Sequence, residues 1–156
     1  MTTLKSRTKL KSRSIAALAG GLLLGSGAAL HAEPVTMFDV AQGDGSRISL
    51  SVHTAPSAKA LVVKTVLAGV SGSTLRIRLD RSDRDLFSHV FTDEECRFEN
   101  GSASVCEIEI KARSSDYARL VDGFKRAKLA RFTVEEAGVM KMDYAVTLVG
   151  FTRALR

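Results

Sequence analysis

The feature that most restricts how this chain can fold is the segment Glu95–Lys111, ECRFENGSASVCEIEIK, which carries the only two cysteines, Cys96 and Cys106. Ile108 and Ile110 alternate with Glu107, Glu109 and Lys111, the pattern of a strand with one face in a core and the other in water. Upstream, Cys96 and Phe98 alternate with Arg97 and Glu99. Between the two runs stands Asn100-Gly101, a pair that tolerates positive φ and so favours a tight turn. Loop length then fixes the pairing. A two-residue loop sets Cys96 opposite Val105. A three-residue loop, Asn100-Gly101-Ser102, pairs Glu99 with Ala103 and sets Cys96 opposite Cys106. Facing residues of that kind have Cα atoms roughly 4.5–5.5 Å apart, a separation that a disulfide can span. This register puts Cys96, Phe98, Cys106, Ile108 and Ile110 on one face and Glu99, Glu107 and Glu109 on the other. The expectation is an intrachain Cys96–Cys106 disulfide, worth roughly 2–3 kcal/mol for so short a loop. The alternative is two buried free thiols.

Residues 1–32 read as a secretory signal peptide. Lys5, Arg7, Lys9, Lys11 and Arg13 form a basic start with no acidic residue. Ile15–Leu30 is an apolar run rich in Ala, Leu and Gly, short for a membrane span. Leu30-His31-Ala32 offers a small residue at the cut, which places cleavage after Ala32 and the mature domain at 33–156; an uncleaved anchor is the alternative. The whole chain has 23 basic and 17 acidic residues, a net charge of +6. Five of the basic residues and none of the acidic ones fall in 1–32, leaving 18 against 17 and a net charge of +1. The basic character therefore belongs to the leader, and it gives no reason to expect nucleic acid or anionic lipid as a partner. Export implies an oxidising compartment, where a cysteine pair reads as a disulfide. The expected location is periplasmic or secreted, in a Gram-negative envelope, with no stable membrane span after cleavage.

The 124 residues after the leader suffice for one domain with one core. Val35–Val40 reads as a short strand, and Arg47–His53 as a half-exposed one. Leu61–Leu67 is a nearly continuous apolar run, expected to be a strand buried on both faces. Thr74–Asp80 alternates, and Leu86–Phe91 is apolar enough to tuck against the core. After the cysteine hairpin, Tyr117, Leu120, Val121 and Phe124 recur at helical spacing over Ser115–Lys125. Ser114 or Ser115 can cap that helix, Asp116 lies in its first turn and basic residues at its end. Two strands follow, Arg131–Glu135 and Met140–Val149, joined at Glu136-Ala137-Gly138. The expected fold is mainly β: a single-domain β-sandwich of about seven or eight short strands, with one amphipathic helix packed on a sheet.

Several segments from Leu75 onward carry a family resemblance. They are Leu75-Arg-Ile-Arg-Leu-Asp80, Phe91, the pair Cys96 and Cys106, the helix through Leu120 and Phe124, Phe132-Thr-Val134, and Thr147-Leu-Val-Gly-Phe-Thr-Arg-Ala-Leu155. In this order they resemble the invasion-associated locus B (IalB) family of exported bacterial proteins. The terminal segment is the most specific of them. This chain lacks the Trp and the further cysteines that the family carries near the mature N-terminus. The resemblance implies a β-sandwich-like domain in the periplasm or on the cell surface, with an envelope or host-interaction role and no catalytic residue to carry over.

The remaining candidates for chemistry are sparse. Two histidines survive cleavage, His53 on the polar side of a strand and His89 between Phe87 and Phe91. A metal site needs three or four ligands, so surface or packing roles are expected for both, with no metal and no cofactor. Asp80, Asp83 and Asp85 could suggest a calcium loop, but the spacing and the central glycine of an EF-hand are missing. Asp93-Glu94-Glu95 reads as an exposed acidic run. No G-x-S-x-G occurs, and Gly69–Ser73 reads as a turn. Arg76 and Arg78 form one polar row and Glu107 and Glu109 another; the two would pair if their strands were neighbours. With no catalytic residues, the expected function is that of an exported non-enzymatic protein acting by surface contact on an envelope or host-surface protein. The alternatives are a periplasmic small-ligand-binding module, whose ligand-binding residues the sequence leaves unknown, and a hydrolase in third place.

Overall fold

The computed structural model describes residues 33–156; the leader expected over 1–32 lies outside the described residues. The chain forms strands β1 (Val35–Ala41), β2 (Arg47–His53), β3 (Ala60–Val66), β4 (Thr74–Leu79), β5 (Phe87–Val90), β6 (Cys96–Glu99) and β7 (Ala103–Lys111). Helix α1 (Ser115–Arg126), strands β8 (Leu129–Glu136) and β9 (Val139–Thr147), and the short helix α2 (Phe151–Ala154) complete it. All strand pairs are antiparallel and form two sheets, ordered β1-β2-β3-β7-β6 and β5-β4-β8-β9. The mainly β sandwich with a helix therefore stands, with nine strands among the described residues and a second helix in the terminal Gly-Phe-Thr-Arg-Ala-Leu segment.

Alternation along the strands builds the core. Ile48, Leu50 and Val52 of β2, Leu61 and Val63 of β3, and Ile108 and Ile110 of β7 line the inside of the five-stranded sheet. Leu75 and Ile77 of β4, Ala130, Phe132 and Val134 of β8, and Met142 and Val146 of β9 line the other. Phe132 sits where the layers meet: Phe38 of β1 packs edge-on against it at 5.1 Å between ring centroids. Phe124 of α1 lies 6.4 Å from Phe132 and 5.1 Å from Phe151 of α2. The apolar stripe of α1 thus feeds the space between the sheets, the cheapest place to bury it, since a buried Phe gains roughly 2–3 kcal/mol over an exposed one. Ser114 caps α1, its hydroxyl accepting from the Tyr117 N–H at 3.1 Å. A Cβ on Gly123 would stand 2.8 Å from methyl groups of Leu79 and Leu86, so any larger residue would require those side chains to shift.

Two expectations need correction. The Leu61–Leu67 run is buried on one face only: Val62, Lys64 and Val66 are half-buried on the outside, and Leu67 leaves the strand at φ 58° with 47% of its surface exposed. Its apolar character reflects a central position in the sheet, with β2 and β7 on either side; among the described residues no further sheet lies over its outer face. The arginine and glutamate rows do not pair. Arg76 and Arg78 belong to the four-stranded sheet and Glu107 and Glu109 to the five-stranded one, so the sandwich separates them. No helix among the described residues is long and apolar enough to cross a membrane.

Candidate functional site

The hairpin register is the one that a three-residue loop gives: Glu99 faces Ala103 and Cys96 faces Cys106. Asn100 and Gly101 turn at φ 52° and 76°. The two sulfurs lie at bonding distance, 2.04 Å, with the Cα atoms 4.1 Å apart. Cys106 is fully buried, while Phe98 on the same face extends past the core and is 71% exposed.

The consequence lies just beyond this staple. The four residues of β6 cover β7 only from Ala103 to Cys106, whereas β7 continues for five more, Glu107–Lys111. In an antiparallel ladder, alternate residues send both backbone groups to the same side. Leu67 N–H donates to the Ser104 carbonyl and Ala112 N–H to the Lys59 carbonyl, so the even-numbered residues of β7 face β3. Glu107 N–H donates to the Glu95 carbonyl at 2.9 Å, so the odd-numbered residues face the other way. Past that bond, the Glu109 N–H and carbonyl and the Lys111 N–H have no strand beside them among the described residues. The Lys111 carbonyl is used by Ser114, which donates to it from both N–H and hydroxyl at 2.9 Å.

Two concavities flank this free edge, and both are lined in part by Glu109 and Lys111. One, of about 440 Å³, lies toward the β2–β3 loop, with Ser57, Lys59 and Arg113 in its wall. The other, of about 270 Å³, opens between the sheets, with Phe87, Ile108 and Ile110 beside His89, Ser114 and Asp116. His89 Nε2 hydrogen-bonds the Glu95 carboxylate at 2.8 Å, and the imidazole stacks on Phe87 at 6.2 Å and stands edge-on to Phe91 at 5.9 Å. Glu95 also accepts from the Thr92 N–H at 2.9 Å, closing the turn that leads into β6. Burial raises the Glu95 pKa, but the hydrogen bonds from His89 and Thr92, together with the His89 charge, outweigh it and hold the carboxyl below its usual range.

The other residues singled out in the sequence are dispersed. His53 is half-buried on β2, in the opposite sheet from His89. Asp80, at φ 49°, accepts from the Lys128 and Leu129 N–H groups at 3.1 Å, fastening the end of α1 to β4. Asp85 is held by Arg78 at 2.6 Å and Arg76 at 3.5 Å. Both carboxylates thus serve donors within the protein. Asp93 and Glu94 are exposed, whereas Glu95 is drawn into the His89 contact. Among the described residues no group of three or more His, Cys, Asp or Glu side chains could hold a metal ion. Sequence reasoning missed the free edge and the walls of Phe87, Lys111, Ser114 and Asp116. The unequal lengths of the two alternating runs around Asn100-Gly101 were the signal that could have found the edge. No family model, no curated protein and no solved structure matches the chain.

Proposed function

We propose that this chain is an exported, non-enzymatic envelope protein that works by surface contact with a polypeptide partner, as its resemblance to IalB-like proteins implies. The observation that carries the reading is a contrast. Deep between the sheets the space is filled by fully buried side chains such as Leu50, Ile77 and Phe132, while two open concavities and unpaired backbone groups meet at the Glu109–Lys111 end of β7. The hydrolase reading needs His53 or His89 beside both a carboxylate and a nucleophile. Among the described residues, the side-chain hydrogen-bond partner of His89 is the Glu95 carboxylate.

Two measurements test the proposal. Cell fractionation with N-terminal sequencing is expected to place the protein outside the cytoplasm with Glu33 as its first residue; recovery in the cytoplasm with the leader attached defeats the export half. A photo-crosslinking residue at Ser57, Phe98 or Glu109 is expected to trap an envelope or host-surface protein in living cells. Absence of adducts from every surface position tried defeats the contact half. A second reading, a periplasmic small-ligand module, is favoured by the cleft in which Phe87, Ile108 and Ile110 meet the polar groups of His89, Glu109, Lys111, Ser114 and Asp116. It calls for a saturable small-molecule ligand that shifts the His89 ring resonances.

A further inference from the structure

We infer that Glu107–Lys111 of β7 is a strand-addition site that takes an extended peptide segment, antiparallel to β7, with apolar and basic side chains in alternation. This deepens the contact reading above and rests on it. Three observations converge. The Glu109 N–H and carbonyl and the Lys111 N–H point along the lane that β6 occupies beside Ala103–Cys106, so an added strand continues an existing ladder. Main-chain bonds of this kind supply affinity, and side-chain pockets on alternate residues supply selectivity.

The concavity that opens between the sheets matches the inward half of that alternation. Side chains of an added strand opposite Ile108 and Ile110 enter the space lined by Phe87, Ile108 and Ile110, which favours apolar residues. Side chains opposite Glu107 and Glu109 lie on the outer face. There the neighbouring Lys111 is 3.9 Å from Glu109, and Lys64 of β3 faces Glu107 across the ladder without closing to ion-pair distance. Carboxylates left in this state favour lysine or arginine on the incoming strand. Long free edges are ordinarily blunted because they invite pairing. This one is short and bounded by the β6 disulfide at one end and the Ser114 cap at the other, which suits a segment of about five residues.

The test is a selection from a displayed library of random linear dodecapeptides against protein recovered from cells expressing the full chain. Enriched peptides are expected to alternate apolar and basic residues and to bind less tightly as salt rises. Glu109→Pro removes the outward N–H without touching the β3 ladder and should weaken binding about tenfold or more, while Glu109→Gln should weaken it only about threefold. N-methylation along a selected peptide gives a readout that needs no variant of the protein: loss of binding at every second position is expected. No enrichment, equal binding to Glu109→Pro, or N-methyl effects without a two-residue period overturns the inference. Crosslinks that persist from Ser57 or Phe98 after such a result leave the broader contact reading standing and refute only the strand-addition site.

Discussion

The outer face of the four-stranded sheet and the free edge of β7 carry charge in opposite ways. On the former, Arg76 bridges Glu135 at 3.0 Å and Asp85 at 3.5 Å, Arg78 holds Asp85 at 2.6 Å, and Arg131 binds Asp143. Three arginines and three carboxylates satisfy one another across β4, β8 and β9. On the latter, the backbone groups of Glu109 lack a ladder, Lys111 offers the Glu109 carboxylate one distant pairing, and Lys64 faces Glu107 without closing to ion-pair distance. The difference teaches where this molecule is closed and where it is not. A face that neutralises itself gains little from a partner, because any incoming charge must displace a resident one. An edge with unpaired donors and acceptors loses nothing by being covered.

The largest expected effect contrasts neighbouring residues of β7. Ile108→Pro removes an N–H that faces β3 and empties a buried site, so it should cost roughly 3–5 kcal/mol in denaturant unfolding. Glu109→Pro removes only an outward N–H and should change stability by about 0.5 kcal/mol or less. Equal costs for the two would show that β7 is engaged on both sides and would erase the comparison. Next, Cys96→Ala with Cys106→Ala should cost roughly 2–3 kcal/mol, because the closed loop no longer restrains the unfolded chain. Mass spectrometry without reductant should find no free thiol in the parent protein; two free thiols refute the staple that ends β6.

Smaller effects belong to the self-paired face. Asp85→Asn leaves Arg76 and Arg78 without their shared partner and should cost about 1 kcal/mol, the upper range for half-exposed pairs. No loss at all would place that face with ordinary solvated surface. The smallest effect is on the acid limb. The hydrogen bond from Arg131 lowers the Asp143 pKa, burial opposes it, and the charges of Arg131 and Arg78 add to the lowering. Glu95 is likewise held low in the folded state. A carboxylate whose folded pKa lies below its unfolded one stabilises fully above the unfolded value, and that contribution disappears as pH falls through the folded value. Stability should therefore decline on acidification below the ordinary carboxylate range, and Asp143→Asn or Glu95→Gln should each make the decline shallower. An unchanged acid limb in both variants refutes the pairing energetics.

Most of the strands were legible because alternation and turn chemistry are local. Arg47–His53 has the bounds read from its sequence, and the cysteine register is one of the two that counting residues around Asn100-Gly101 allows. The β1 and α1 segments differ from their expected ends by a residue. Less local features were read less well. Phe98 shares a face with Cys106 yet projects into water, since periodicity assigns a face and says nothing about how far the opposing layer reaches. The partners of Arg76 and Arg78 were misassigned for the same reason: which rows meet depends on which strands adjoin.

Residue order by itself determined most of the strands, the capped helix α1 and the turns, and narrowed the residue facing Cys96 to Val105 or Cys106, because each depends on contacts within one strand, turn or hairpin. Only the tertiary structure decided that β4 and β7 lie in different sheets, that α1 delivers Phe124 to the interior, and that β7 outruns its neighbour to leave Glu109 and Lys111 with open backbone groups. Those outcomes depend on how far each layer extends, and that is set by the joint packing of segments distant in the chain.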